Sequence, residues 1–169
     1  GQGSLLAALR QAGWADGLSA GSAQGDGDDA LFVVDISLTP QGAKRLDRIQ
    51  ASLFAMIERI RKSGLDAWRY QEQAQLAEQD FRFQQRGELI DLASSLAMNM
   101  AYYPLEDVQY GPYRMDGYQP DELRTILAKL TPERLLRVYS GPAVEGEQTT
   151  EWFDAPYRLA RLDEGPPAE

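Results

Sequence analysis

Two residue types are missing from these 169 residues: there is no cysteine and no histidine. Their absence excludes a disulfide framework, a thiolate nucleophile, a Cys/His zinc site and an imidazole base. A Ser-His-Asp hydrolase or a His-ligated metallohydrolase cannot be housed in this chain alone. Lack of cysteine fits an oxidising compartment as well as the cytosol, so it does not fix location. Basic charge is also scarce, 17 Lys and Arg against 26 Asp and Glu, for a net charge of −9. Nucleic acids and anionic membranes both select a basic face, and neither is an expected partner. No apolar run is long enough to cross a bilayer, and Gly1-Gln2-Gly3 has neither the basic nor the apolar region of a signal peptide. No G-x-S-x-G, P-loop or G-x-G-x-x-G stands between a strand and a helix.

Hydrophobic residues make up 43% and charged residues 25% of the chain, an ordinary globular balance. The length is that of one domain, and a single α+β domain is expected over residues 1–162. Its anchor is the stretch from Thr39 to Phe83. Leu46, Ile49, Leu53, Ile57 and Ile60 recur at three- and four-residue spacing and form one stripe on a helix. Thr39 is suited to the N-cap, Pro40 to the first turn and Gly64 to a left-handed stop. Asp66 can cap a second helix, in which Tyr70, Ala74, Ala77 and Phe81 repeat the period, and this helix is expected to fold back along the first.

Before this pair, Ser4 to Ala12 reads as a short helix ended by Gly13, and Ala15 to Ser22 as an extended segment or a loop. Gln24 to Asp29 is a turn. Its Asp26 and Asp28 fit part of a calcium loop, but no Glu stands where the bidentate ligand is needed, so turn chemistry explains them better. Leu31 to Leu38 is the clearest strand, with Phe32, Val34, Ile36 and Leu38 on one face and Asp35 and Ser37 on the other. The order is β-β-α-α.

A third helix is expected from Leu89 to Tyr103, with Leu89, Leu92, Leu96 and Met100 as its buried edge, stopping before Pro104. Pro104 to Gln119 reads as short turns packed on the body. Pro120 to Leu130 is a fourth helix with Leu123, Ile126, Leu127 and Leu130 facing in. Leu135 to Ser140 has strand character, Tyr157 to Leu162 is a candidate last strand, and Asp163 to Glu169 is an expected disordered tail. Lys44, Arg45, Arg48, Arg59, Arg61 and Lys62 make the long helix locally basic, which a solvated face explains.

Residues alone point to a binding or structural domain. Gly1-Gln2-Gly3-Ser4-Leu5-Leu6, followed by the run from Gly13-Trp14 to Ala20-Gly21, resembles the opening of the second domain of insulinase/pitrilysin-family zinc metallopeptidases. The likeness continues through Leu38-Thr39, Trp68 with Glu72, Phe81-Arg82-Phe83, Tyr103-Pro104-Leu105-Glu106, Leu130-Thr131-Pro132-Glu133 and Glu151-Trp152-Phe153 with Tyr157. It covers the chain to about residue 160.

The resemblance implies a mostly antiparallel sheet covered on one face by helices, the fold repeated through insulinase and mitochondrial-processing-peptidase-type proteins. It implies that zinc is held in a preceding domain by H-x-x-E-H and a downstream Glu, none of which this chain carries. It also implies that the chain begins just after the Gly-His-Glu of the domain's first strand and is a fragment. No catalytic or metal residue is expected here, and no cofactor other than zinc in the parent. The partners implied are the preceding catalytic domain, the C-terminal half of the parent, and peptide substrates. Leu18, Ser19, Ala20 and Gly21 align with the segment that holds the N-terminal end of a bound peptide in this family. The expected function is that of a non-catalytic substrate-chamber domain of a zinc metalloendopeptidase; the alternative is a scaffold domain of an inactive homologue or partner subunit. Bacterial relatives of this type imply a periplasmic location, with the cytoplasm as the alternative.

Overall fold

The computed structural model describes residues 3–23, 31–84, 87–142 and 144–162. It is an α+β structure in which helices dominate and the sheet is small. Two compact units are present, Gly1–Leu130 and Thr131–Glu169.

The first unit opens with α1 (Leu5–Gln11), whose N-cap Ser4 accepts a hydrogen bond from the Ala7 amide at 3.2 Å. Gly13, at φ 72°, turns the chain from α1 into β1 (Ala15–Ala23). β1 pairs antiparallel with β2 (Leu31–Leu38) in the register Leu18 with Ile36, Ser19 with Asp35, Ala20 with Val34 and Gly21 with Val33. The extended reading of Ala15 to Ser22, not the loop, is therefore the observed one. Residues 24–30, with the expected turn and its Asp26 and Asp28, lie outside the described residues, as does the tail at 163–169.

The long helix has both ends where the sequence puts them, but it is interrupted. Thr39 accepts from the Gly42 amide at 3.0 Å, Pro40 takes the first position, and Gly64 ends the helix at φ 76°. Between them α2 (Pro40–Ala43) stops, Lys44 and Arg45 form a corner, and α3 (Leu46–Ser63) starts again. Gly42 sits at the close approach that goes with this corner. A Cβ built there would lie 1.8 Å from the Trp14 carbonyl oxygen, so the backbone just before β1 presses directly on α2. The apolar stripe of α3 is borne out: Ile49 and Ile57 are buried and Leu46, Leu53 and Ile60 half-buried.

Leu5, Leu9, Ala15 and Ile49 form the core, with Trp14, Leu18, Ile36, Leu38, Leu53 and Met56 packed against it. Leu53 packs on the same core cluster as Ile36 and Leu38 of the hairpin face. Only the proximal half of that face is covered, however, since Phe32 is 47% exposed.

α4 (Ala67–Arg82) does not lie along α3 as expected; among the described residues it packs on the 3-10 turn Gly111–Tyr113. Its outward-set aromatics explain this. Phe81 meets Tyr110 edge-on at 5.0 Å and Tyr113 at 5.6 Å, and the Tyr70 hydroxyl accepts from the Gly117 amide at 2.9 Å. The segment after Pro104 is built of short turns, as expected, at Leu105–Asp107 and Gly111–Tyr113.

α5 (Leu89–Asn99) ends four residues before Tyr103, and its apolar edge is not buried. Leu89 is 83% exposed, Leu92 and Met100 are also exposed, and only Leu96 is half-covered. α6 (Pro120–Lys129) half-buries Leu123, Leu127 and the following Leu130, while Ile126 points outward.

In the second unit Leu135 to Ser140 forms no strand; it follows a 3-10 turn at Pro132–Arg134, with Leu136 and Val138 exposed. Alternating apolar residues make a strand only when a partner strand is available. β3 (Gln148–Thr149) pairs antiparallel with β4 (Pro156–Tyr157), so the last strand is shorter than the expected Tyr157–Leu162.

Candidate functional site

Leu18, Ser19, Ala20 and Gly21 lie consecutively in the middle of β1, each opposite a β2 residue. Among the described residues β1 pairs with β2 alone, so its other edge carries no strand. A strand residue turns its N–H and C=O to one side, and neighbours alternate, so every second residue from Leu18 to Gly21 presents its peptide groups to that open edge.

Three features set this edge. Leu18 is half-buried against the core and holds the strand down, while Ser19, Ala20 and Gly21 are exposed. The side chains are small, and a Cβ added at Gly21 would meet nothing within 4 Å. Below them the register shifts between Ala15 and Gly17, leaving Asp16 as an extra residue. Arg10 of α1 donates to the Asp16 carbonyl, with Nε at 3.0 Å. The carbonyl freed by the bulge is thus satisfied within the chain, and the open edge begins beyond it. The Asp16-Gly17 pair is the local signal for this bulge, and the sequence reading did not use it.

Lys44, Arg45, Arg48, Arg59 and Lys62 are exposed, as a solvated basic face requires, and Arg61 is the exception. Its guanidinium donates to the Leu127 carbonyl at 2.8 and 3.0 Å and to that of Leu130 at 2.7 Å, and pairs with Glu58 at 3.1 Å. It satisfies carbonyls at the end of α6. A cavity of about 220 Å³ lies beside it, lined by Ile60, Gly64, Leu65, Tyr118, Pro120 and Leu127 among others. No group of three or more Asp or Glu able to hold a metal ion occurs among the described residues. With no histidine in the chain, these residues do not fit a catalytic zinc.

Residues 1–76 match the family description "Peptidase M16 inactive domain", and residues 81–166 match "Middle or third domain of peptidase_M16". The chain belongs to the peptidase M16 family, the insulinase/pitrilysin group. Both matched domains are M16 domains, and they meet within α4. The insulin-degrading enzyme of Homo sapiens is 31% identical over 160 residues, which cover 94% of this chain and 16% of that protein. The A-factor-processing enzyme of Saccharomyces cerevisiae is 30% identical over 161 residues, again 94% of this chain and 16% of the relative. The crystal structure of pitrilysin superposes with a TM-score of 0.86 at 27% identity, covering 93% of this chain and 17% of pitrilysin. The chain therefore spans about a sixth of the length of the M16 proteins it matches.

Proposed function

We propose that the chain is a non-catalytic, substrate-chamber part of an M16 zinc metalloendopeptidase, and that the edge of β1 from Leu18 to Gly21 anchors the N-terminal end of a peptide substrate. In this reading the zinc belongs to a preceding domain of the parent. The observation that carries the proposal is the open outer edge of β1, lined by small exposed residues. An extended peptide adds to such an edge as one more strand, and its main chain supplies the hydrogen bonds. Affinity then depends little on peptide sequence, which suits a family whose members are named for such different substrates as insulin and a-factor.

The test leaves the protein untouched. A long substrate is N-methylated at alternate residues of its N-terminal segment in two complementary series, and cleavage by the full-length protein is compared with that of a short substrate lacking the segment. One series is expected to raise KM for the long substrate about five- to tenfold, the effect of losing roughly one main-chain hydrogen bond. Equal cleavage of both series and of the unmodified peptide would overturn the assignment. An upstream H-x-x-E-H in the complete protein separates an active parent from an inactive scaffold.

A further inference from the structure

We infer that Asp35 gives this edge a preference for extended peptides with a lysine or arginine at the position level with Ser19, an inference that rests on the strand-addition reading above. Ser19 and Asp35 are direct cross-strand partners, so their side chains share one face of the hairpin. Leu18 and Ile36 turn the opposite face to the core, which leaves the Ser19–Asp35 face outward.

That face is flat beside the edge. Gly17, Ser19 and Gly21 alternate along β1, opposite Ser37, Asp35 and Val33. Asp35 is exposed, and among the described residues no cation pairs with it.

Strand spacing fixes what can reach this carboxylate. A peptide added to β1 lies about 4.8 Å from it, and hence about 9.6 Å from β2. From a position level with Ser19, a lysine ammonium reaches about 5 Å beyond its Cβ, and the Asp35 oxygens lie about 2.4 Å from their own Cβ. Together they leave about 2 Å at full extension, so the two groups come within the roughly 4 Å of an ion pair without stretching, provided that the residue between is small, as Ser19 is. A bulky residue at 19 would stand in the path. Because side chains alternate along a strand, only every second peptide residue projects on this face. The chain's net charge of −9 attracts cationic peptides at every position alike, so a gain confined to one position is the distinguishing mark.

The experiment titrates the full-length protein with blocked, neutral, threonine-rich peptides in which one lysine is walked along the sequence, following the amides of Leu18 to Gly21 by NMR. Lysine at the position level with Ser19 is expected to tighten binding about threefold at low salt, the size of one exposed ion pair, and lysine at its immediate neighbours, which project on the other face, is not. Asp35→Asn should abolish this preference, and Asp35→Lys should transfer it to a glutamate walk. Equal gains at all positions, or a preference that survives Asp35→Asn, would overturn the inference while leaving strand addition intact. A neutral host peptide that moves none of the Leu18 to Gly21 amides would overturn both.

Discussion

The Arg61 guanidinium donates to the Leu130 carbonyl at 2.7 Å, tying the last turn of α3 to the residue that ends α6. The two residues are far apart in sequence, and the same fork also takes the Leu127 carbonyl. Lysine has the charge but not the planar fork. Arg61→Lys is therefore expected to lose about 1 kcal/mol and Arg61→Ala about 1.5–3 kcal/mol, read from urea unfolding midpoints. An unchanged midpoint in Arg61→Ala would return this side chain to the solvated face of the helix.

Gly42→Ala tests whether tertiary contact overrides helix propensity. In an unconstrained helix the change would stabilise by roughly 0.5–1 kcal/mol. Here the new Cβ would be driven against the Trp14 carbonyl, and a loss of about 1–3 kcal/mol or more is expected. Thr39→Ala, which removes the hydrogen bonds to the Gly42 amide and the Gly13 carbonyl, should cost about 1–2 kcal/mol. Thermal unfolding of the two variants measures both.

The core gives a ranking. Leu9, 1% exposed, should lose about 2–5 kcal/mol on change to Ala, the range for large-to-small substitutions. Half-buried Leu53 should lose less than Leu9, and a Leu53→Ala loss below about 0.5 kcal/mol would remove it from the stripe.

In the second unit, hydrogen bonding from the Thr131 side chain, followed by the backbone amide of Glu133 itself, holds the Glu133 carboxyl below its ordinary value. A carboxyl depressed in the folded state contributes stability above its unfolded pKa and loses that contribution as pH falls through the lower, folded value. Side-chain NMR titration should find Glu133 protonating at lower pH than an ordinary glutamate, and Thr131→Val should move it back up. No movement would break the assigned cause.

What was legible in the sequence was what neighbours in sequence decide. Ser4, Gly13, Thr39, Pro40 and Gly64 mark helix ends through contacts within a turn, and each stands where it was read. The corner at Lys44 and Arg45 goes with Trp14 pressing on Gly42, a contact between distant residues that no local period records. The course of α4 was misread for a similar reason: Tyr70 and Phe81 fit a helical stripe equally well against α3 or against the turns after Pro104. Leu89, Leu92 and Met100 form an apolar edge by spacing, but spacing does not supply the surface that would cover it. Of the candidate site, Leu18 to Gly21 were readable as an extended segment with small side chains. That β1 pairs on one side only among the described residues depends on how many strands assemble, which alternation does not encode.

Thr39 has one further effect. Its amide donates to the Trp14 carbonyl at 3.1 Å and its hydroxyl to that of Gly13 at 2.6 Å, so the two ends of the hairpin are clasped at their base beside the core. Lengthening a closed loop costs little, about 0.6 kcal/mol per doubling, and the clasp confines that cost to the far side of the hairpin. Residues between β1 and β2 can then be inserted or deleted in evolution, or by an engineer, without re-forming α1, α2 or the packing of Ile49. The hairpin behaves as a replaceable arm on a fixed shoulder, and its length sets how far β1 and β2 reach beyond the core.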